Sequence, residues 1–491
     1  MTNIAHQPDA TTSMTTGEGL DGQARQPSSR RESTLVPATM SVVTMLIALF
    51  MGIRPVQDVD AWWHLKAGQF VLGGGAFLGP DPWGPFATRP FVLTQWLPEV
   101  VAFKGFEWFG LPAVAWLRCV GILFILSAIL WCTRRVADTV PALITALAAL
   151  IGTGGSLSER PQLVSFIFLA IWVGASWRMA DDLRPRWWLI PLTWVWALSH
   201  GLWITGIGVG IIVITGLLLD GRIDLRQARR MMLVPVASLA VVALTPIGPR
   251  LLLTPFQVAG NAAAFIQEWQ PTNVRGDLFA IITMVLLVAA VFGWIRGSSV
   301  PPWWQVGLAA VAFFSTLAMG RTIPVGAIVS APLAATALQG LRGTAPLPLS
   351  RGTLRRWGAL IAAAALIAVP TSAVVAKKPA MTPEGLRPAL SALPAHSVIL
   401  DDFSVSGWLL WAEPDLVPVI DLRSEIYSKE YFQAYRNAEQ VRAGWQSFVT
   451  RVKPTYALLR TEAPLRLALQ EELHWTTVRK DPSGYVLLRA P

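Results

Sequence analysis

Long apolar runs, separated by short polar segments, recur between residues 37 and 376 of the chain. Each run is close to the roughly 17–25 residues that a helix needs to cross a bilayer. The pattern therefore predicts about eleven transmembrane helices. These predicted spans cover 37–54, 112–132, 138–154, 162–178, 186–200, 202–219, 231–246, 277–295, 303–319, 322–340 and 356–376. The fifth and sixth spans meet at His200-Gly201, so that boundary is the least well defined.

Arginine-rich segments alternate with segments of mixed charge between the predicted spans. When the spans alternate in direction, the arginine-rich segments all fall on the side that carries residues 1–36, and cytoplasmic loops are rich in Arg and Lys. The N-terminus is therefore predicted to be cytoplasmic, the first span a retained signal anchor, and the segment after residue 376 extracytoplasmic. Residues 1–36 are polar and are predicted to form a disordered cytoplasmic tail. The arginine-rich segments contain Arg134, Arg135, Arg178, Arg184, Arg186, Arg222, Arg226, Arg229, Arg230, Arg296, Arg342, Arg351, Arg355 and Arg356.

Composition agrees with a multi-pass protein of the cell (plasma or inner) membrane. The chain of 491 residues is 53% hydrophobic and only 14% charged, whereas soluble domains carry about 25% charged residues. Much of the net charge of +10 lies in short segments between spans, so it sets topology and does not indicate a nucleic-acid partner. The spans contain almost no Asp, Glu or Lys, which argues against an ion pump or coupled transporter. Cys119 and Cys132 would lie about 20 Å apart along one helix, too far for a disulfide.

The composition becomes that of a soluble domain after Lys377 and Lys378. Strands and helices alternate there, which predicts a small extracytoplasmic α/β domain over residues 377–491, following a transmembrane domain over 37–376. No Gly-x-Gly-x-x-Gly follows a strand, so no nucleotide site is predicted. The predicted strands are 397–400, 417–420 and 456–459, the predicted helices are 428–451 and 464–473, and a hairpin is predicted around 481–484.

The first loop after the first span, residues 55–111, begins with two acids and a tryptophan pair, Asp58, Asp60, Trp62 and Trp63. One interpretation is a site at the membrane surface, with the tryptophan rings at headgroup depth and the acids facing water. The other is the start of a helix, with Asp58 or Asp60 as its N-cap and the tryptophans as ordinary interface anchors. Two helices that lie along the membrane are predicted in this loop, at 60–72 and 94–108.

Ionisable residues of both signs converge on the predicted outer face. A carboxylate there can serve as a general base or hold a divalent cation such as Mg²⁺ or Mn²⁺. Arginine side chains can bind a phosphate through two hydrogen bonds from the planar guanidinium group. Each has a structural alternative: a carbonyl cap or headgroup contact for an Arg, a hydrogen-bonded structural residue for His200, an ion pair for Glu268, and an interfacial position for Glu99. The arginines that could bind a phosphate in this way are Arg160, Arg250, Arg275 and Arg321.

Several short motifs follow one another along the chain in an informative order. They are Asp58-Val59-Asp60-Ala61-Trp62-Trp63-His64-Leu65 with Gly68, Gly79-Pro80-Asp81-Pro82, Gln95-Trp96-Leu97-Pro98-Glu99, Glu159-Arg160-Pro161-Gln162, Trp196 to Gly201, Glu268-Trp269, Arg321 with Pro324, and Asp421-Leu422-Arg423-Ser424-Glu425-Ile426-Tyr427. This series resembles the membrane glycosyltransferases of the GT-C superfamily, most closely a bacterial branch with an outer C-terminal domain. In the superfamily the acidic pair is often adjacent, whereas Val59 separates the two acids here.

The resemblance implies an enzyme that transfers a sugar from a polyprenyl-phosphate donor to a glycan, protein or lipid acceptor at the outer face. It implies that Asp60, or else Asp58, is the base or the metal-holding acid. The remaining site residues would bind substrate: His64, Glu99, Arg160, His200, Glu268 and Arg321. A non-enzymatic lipid or glycolipid flippase and an envelope-assembly scaffold are the alternatives. Trp408 and Trp411 could stack on sugar rings or pack in a core, and Asp421 with Arg423 could form a site or a structural ion pair.

Overall fold

The computed structural model describes residues 35–257, 266–297 and 300–491. A bundle of helices occupies the chain up to residue 375, and a mixed sheet with flanking helices follows it. The predicted disordered tail at 1–36 lies almost entirely outside the described residues.

The helices of the bundle follow the predicted apolar runs. Each of the eleven predicted spans overlaps one helix, while α2 and α3 belong to the first loop. The helices are α1 (Leu35–Gly52), α2 (Ala61–Leu72), α3 (Trp96–Phe109), α4 (Leu111–Thr133), α5 (Thr139–Gly152), α6 (Gln162–Asp182), α7 (Leu189–Ala197), α8 (Trp203–Leu219), α9 (Leu225–Val242), α10 (Leu278–Arg296), α11 (Trp303–Ala318), α12 (Ile323–Leu341) and α13 (Arg351–Val375).

Six of these helices are long and apolar enough to cross a membrane, namely α1, α4, α6, α10, α12 and α13. The helices α5, α8 and α11 are apolar but shorter. The molecule is therefore a multi-pass membrane protein by the length and composition of its helices. The number of eleven crossings and the orientation remain predictions.

Helix α12 lies at the centre of the bundle, with 78% of its most apolar window buried. Small residues make this possible, because they let neighbouring backbones approach closely. A Cβ added at Gly326 would overlap the hydroxyl of Thr316 and lie 2.8 Å from the carbonyl oxygen of Ala312, both on α11. Any larger residue at Gly326 would push these two helices apart.

The differences from the predicted limits are largest in α9 and in the predicted helix over 428–451. Helix α9 begins at Leu225, six residues before the predicted 231, because the Asp224 side chain caps it by accepting from Gln227 N at 2.7 Å. Arginines thus occupy its first turns, and the apolar run alone did not reveal them. The predicted helix over 428–451 is two helices, because Gly444 adopts a left-handed φ of 88° between them.

The C-terminal segment contains a five-stranded mixed sheet in the order β4-β3-β5-β7-β6. The first three strands in this order are parallel, and the last two pair antiparallel through the predicted hairpin. The strands are β3 (Val398–Asp401), β4 (Val417–Pro418), β5 (Tyr456–Arg460), β6 (Thr476–Lys480) and β7 (Tyr485–Arg489); β1 (Leu78–Gly79) and β2 (Phe91–Val92) form a separate ribbon in the first loop. The helices are α14 (Arg387–Leu390), α15 (Ser406–Ala412), α16 (Lys429–Glu439), α17 (Trp445–Val452) and α18 (Pro464–Glu472).

The tryptophan pair of the first loop is buried against this C-terminal segment. Trp62 and Trp63 are only 6% and 7% exposed. Trp62 packs in one apolar cluster with Trp408 and Leu409, and Trp63 packs in another with Leu400. The prediction that these rings lie at headgroup depth is therefore wrong. Trp408 is likewise a core residue, 2% exposed.

A buried arginine clamps the first loop to the C-terminal segment. Arg423 is fully buried and binds Asp81 of the first loop through both oxygens, at 2.6 and 3.1 Å. It also binds Asp421 at 2.7 Å and lies over the Trp83 ring, 4.3 Å from its centroid. The burial and double pairing match the structural ion pair that was one interpretation of this motif. Two carboxylates and an aromatic face satisfy the charge that burial would otherwise leave uncompensated.

Candidate active site

The two acids of the first loop point inward at the start of α2. Asp60 occupies the N-cap position of α2, but its side chain makes no capping hydrogen bond. Its Oδ1 instead accepts from Trp63 Nε1 at 3.0 Å, one helical turn along the chain. The Asp58 side chain accepts from the backbone N of Asp60 at 2.9 Å. The N-cap interpretation thus explains the position of Asp60 and leaves its carboxylate available.

Arg160 connects the acids of two distant segments of the chain. Its Nε donates to Asp58 Oδ2 at 2.7 Å, and its Nη1 lies 2.9 Å from Asp60 Oδ2. The same Nη1 lies 3.2 Å from Glu268 Oε1, which Arg321 Nη1 also reaches at 2.7 Å. Five of the predicted site residues therefore form one ionic cluster. The sequence placed them on one face of the membrane, and the structure joins them by direct contacts.

Burial and charge separate the two aspartates. Burial would raise the pKa of Asp58, but the charge and hydrogen bonds of Arg160 outweigh it, so the pKa of Asp58 is lowered. For Asp60, burial dominates over Arg160, and the negative charges of Asp58 and Glu268 add to it, so the pKa of Asp60 rises to about 6. At neutral pH Asp60 is therefore an ionised carboxylate with appreciable affinity for a proton. That is the property of a general base.

His64 and Glu99 form a second, buried pair beside the cluster. His64 Nδ1 lies 2.7 Å from Glu99 Oε1, and both side chains are nearly inaccessible. Burial, followed by the charge of Arg160, holds the pKa of His64 well below its usual value. Burial and the charge of Glu425 raise the pKa of Glu99 well above its usual value. Burial thus favours the neutral form of both groups, and the interfacial alternative for Glu99 is wrong because the protein encloses its side chain, which is 1% exposed.

The close approach of α2 and α3 depends on Gly68. A Cβ at Gly68 would overlap the carbonyl oxygen of Glu99 and lie 2.8 Å from Phe103 Cβ. Only glycine therefore lets His64 reach Glu99. The position of Gly68 in the motif thus has a packing reason.

An apolar cavity of ≈ 290 Å³ opens beside this pair. Its walls come from α3, α4, α6 and α7, and are mostly aliphatic. His64, Glu99 and Arg160 lie at its polar part, and Glu99 Oε2 has no hydrogen-bond partner among the described residues. An elongated apolar ligand with a polar end would match this lining.

His200 is fully enclosed near the cluster. Its Nδ1 lies 2.9 Å from Ser165 Oγ and accepts from Leu202 N at 3.3 Å. Ser165 Oγ itself accepts from Trp196 Nε1 at 2.7 Å, so the serine donates its proton to the imidazole. Burial, with the charges of Arg321 and Arg160, lowers the pKa of His200 to about 3. These bonds support the structural interpretation of His200.

A second, polar cavity of ≈ 600 Å³ lies on the other side of the cluster. Glu268 and Arg321 line it together with Asn273 and Asp277. The ion pairs of Glu268 with Arg160 and Arg321 match the structural interpretation of this residue, and its substrate-binding role stays a prediction. Of the other arginines predicted to bind phosphate, Arg250 lines a different cavity and Arg275 makes no ion pair with a described residue.

Arg118 is a residue of this region that the sequence analysis missed. It lies within α4, is 1% exposed and forms a buried ion pair with Glu159. Its guanidinium also donates to the carbonyl oxygens of Gly52 at 2.8 Å and Pro55 at 3.2 Å. Arg118 thus ties the segment that leads to Asp58 to the segment that carries Arg160. The available signal was a lone Arg inside an otherwise apolar run, since such residues rarely face lipid.

Glu425 was also missed as a site residue. It lines a cavity of ≈ 390 Å³ together with Arg89 and Arg250. Burial raises the pKa of Glu425, and the nearby charge of Asp60 adds to the increase. The C-terminal segment therefore brings a carboxylate close to the ionic cluster. Glu425 belongs to the sequence motif around Arg423, but no role was predicted for it.

The predicted divalent cation finds no complete ligand set. The described residues contain no group of three or more His, Cys, Asp and Glu side chains that could hold a metal ion. Arg160 supplies the positive charge between the carboxylates of Asp58 and Asp60. The geometry therefore fits a pair of carboxylates neutralised by an arginine better than a pair that binds a metal ion.

Comparison with known proteins identifies the fold. No family model and no curated protein matches the sequence. Among solved structures, the oligosaccharyltransferase of Archaeoglobus fulgidus aligns with a TM-score of 0.57 at 15% identity, over 87% of this chain and 70% of the other. The same organism's AglB, in complex with an inhibitory peptide and a dolichol-phosphate, aligns with a TM-score of 0.57 at 13% identity, over 93% and 74%. ArnT from Cupriavidus metallidurans aligns with a TM-score of 0.52 at 16% identity, over 93% and 98%.

The chain therefore shares the fold of these solved structures. The resemblance to the GT-C superfamily remains a prediction from the sequence motifs. At such low identity the likeness does not extend to the bacterial branch or its loop motif, which remain predictions.

Proposed function

We propose that this protein is a membrane glycosyltransferase that moves a sugar from a polyprenyl-phosphate donor to an acceptor hydroxyl at the face that carries the first loop. The observation that carries the proposal is the cluster of Asp58, Arg160 and Asp60, because Arg160 also lines the polar part of an apolar cavity. The fold supports it, because AglB has a solved structure with dolichol-phosphate bound.

Asp60 is the proposed general base. Its pKa of about 6 leaves it mostly ionised at neutral pH and still able to take a proton. It would accept the proton of the acceptor hydroxyl while that oxygen bonds to the anomeric carbon of the sugar. The bond between that carbon and the phosphate oxygen breaks, and the lipid phosphate leaves with the bonding electrons.

Asp58 and Arg160 have a positioning role in this proposal. Arg160 binds both aspartates and therefore fixes the Asp60 carboxylate in one orientation. Asp58, whose pKa is lowered, stays ionised and holds Arg160 in turn.

Arg321 is the proposed phosphate-binding group. It has one acidic partner among the described residues, Glu268, and it lines the polar cavity. A guanidinium placed there can stabilise the charge that develops on the departing phosphate. His64 and Glu99, both buried beside the apolar cavity, would contact the donor near its sugar end.

The test uses a strain that lacks the gene, complemented with wild type or with Asp60→Asn. Lipid mass spectrometry should find an accumulated polyprenyl-phosphate sugar in the deletion strain and in the Asp60→Asn strain, but not with wild type. Asp415→Asn, an exposed acid of the C-terminal segment, is the matched control and should behave as wild type. Membrane abundance is measured by immunoblot for each variant. Full complementation by Asp60→Asn would refute the catalytic role and favour a scaffold.

A further inference from the structure

A basic cavity lies at the end of the bundle opposite the candidate active site. Helix α6 begins beside Arg160 and ends at Asp182, about 30 Å away along its axis. At this far end a cavity of ≈ 540 Å³ lies between the segment that follows α6 and the first turns of α9. We call it the basic cavity. Its lining includes Arg184, Trp187, Arg226 and Arg230.

The walls of the basic cavity are held together by hydrogen bonds between the two segments. Gln227 Nε2 donates to the carbonyl oxygen of Leu183 at 3.1 Å, and Arg222 Nη2 donates to that of Ala180 at 2.7 Å. Leu183 adopts a left-handed φ of 56°, which turns the chain out of α6. The cavity is therefore built by fixed backbone segments.

The acids at this end of the bundle already have partners. Asp181 and Asp182 pair with other arginines, Arg135 and Arg186, at 3.4 and 2.5 Å. Asp224 lines the basic cavity, but its carboxylate caps α9. Among the described residues, none of the three guanidinium groups of the basic cavity lies within 4.0 Å of a carboxylate oxygen. Three guanidinium groups thus face one cavity with a single carboxylate to offset them.

We infer that the basic cavity binds the phosphate of an anionic phospholipid headgroup. Arginine forks bind phosphate oxygens in pairs, and the free N–H groups in the first turn of α9 add positive potential. Trp187 is 46% exposed at the same cavity, and tryptophan is favoured at the headgroup level of a membrane. Basic pockets between membrane helices are known lipid-headgroup sites. This site is separate from the proposed catalytic function and does not depend on it.

Native mass spectrometry of the full chain in detergent tests the inference. The protein is titrated with phosphatidylglycerol, and in parallel with phosphatidylcholine. Wild type should retain phosphatidylglycerol in preference to phosphatidylcholine. The double variant Arg226→Gln/Arg230→Gln should bind phosphatidylglycerol about 30-fold more weakly, since each arginine near a membrane surface contributes a factor of about five.

The matched control is Arg355→Gln/Arg356→Gln, which removes two exposed arginines from the first turns of α13. It should leave phosphatidylglycerol binding unchanged, and thermal unfolding checks that both double variants are folded. The inference would be overturned if both double variants lost phosphatidylglycerol binding equally. It would also be overturned if wild type retained the two lipids equally, because the arginines would then act only in membrane topology. Displacement of the lipid by glycerol 1-phosphate at the same concentration would overturn the lipid assignment in favour of a soluble phosphate compound.

Discussion

The pH dependence of the protein should report on Asp60. Its pKa is about 6 in the folded state, against 3.8 for an ordinary aspartate. Half of the Asp60 carboxyls are therefore protonated at pH 6 and about nine in ten at pH 5, so a base-dependent rate should fall about tenfold for each unit below pH 6. Asp58, whose pKa is lowered, does not titrate in this window.

The same shift has a consequence for stability, and its sign is opposite to that of an ordinary paired carboxylate. Between about pH 4 and pH 6 the folded state holds the Asp60 proton more tightly than the unfolded state does. Stability is therefore lost as pH rises through this window, and the loss at pH 7 is about 3 kcal/mol for a shift from 3.8 to about 6. The variant Asp60→Asn should be relatively more stable at pH 8 than at pH 4.5.

Two assays check this prediction. The first measures initial rates of sugar transfer in nanodiscs between pH 4.5 and pH 8, where wild type should show a midpoint near pH 6. The second compares thermal unfolding of wild type and Asp60→Asn over the same range, and it needs no substrate. A rate that is constant from pH 5 to pH 8, together with an unfolding difference that does not change with pH, would refute the assignment of the proton to Asp60.

Further predictions concern the charges around the cluster. Arg160→Gln should abolish transfer and lower the unfolding temperature, because it leaves three carboxylates without their shared cation, whereas Arg250→Gln should leave the unfolding temperature unchanged; equal effects in thermal scans would contradict this. Arg118→Leu should cost about 3–5 kcal/mol of stability by leaving a buried glutamate unpaired, and adding Glu159→Gln should recover part of the loss in the same denaturation assay. Glu425→Gln removes a negative charge near Asp60, so the midpoint of the pH–rate profile should move to lower pH, and a move to higher pH would be the wrong sign. EDTA should leave the transfer rate unchanged, because Arg160 occupies the place of a metal; loss of activity that Mg²⁺ restores would show that a cation is needed.

The sequence predicted where the helices lie better than what they face. Each of the eleven predicted apolar runs overlaps a helix among the described residues, and the largest shift of a helix start is where Asp224 extends α9 into a basic segment. The tryptophan pair was assigned to the membrane interface, but Trp62 and Trp63 are buried against the C-terminal segment. The sequence alone does not distinguish a tryptophan that anchors a helix among lipid headgroups from one that fills a protein core.

The site could be predicted as a set of residues but not as a geometry. Topology placed Asp58, Arg160 and Arg321 on one face, and the structure brings them into one ionic cluster. Which Arg meets which acid depends on helix packing, so Arg250 and Arg275 could not be separated from the true partners. Arg118 was passed over because topology assigns loop arginines and says nothing of one inside a span.

The clamp between Asp81 and Arg423 joins positions 342 residues apart. A ribosome that adds roughly 5–20 residues per second needs roughly 20–70 s to make the intervening chain. Throughout that time the early loop lacks the sheet against which its tryptophans pack. During synthesis, the tryptophans beside the two aspartates must stay uncovered until the late strands emerge, so a nascent chain cut short after its last membrane helix would expose them.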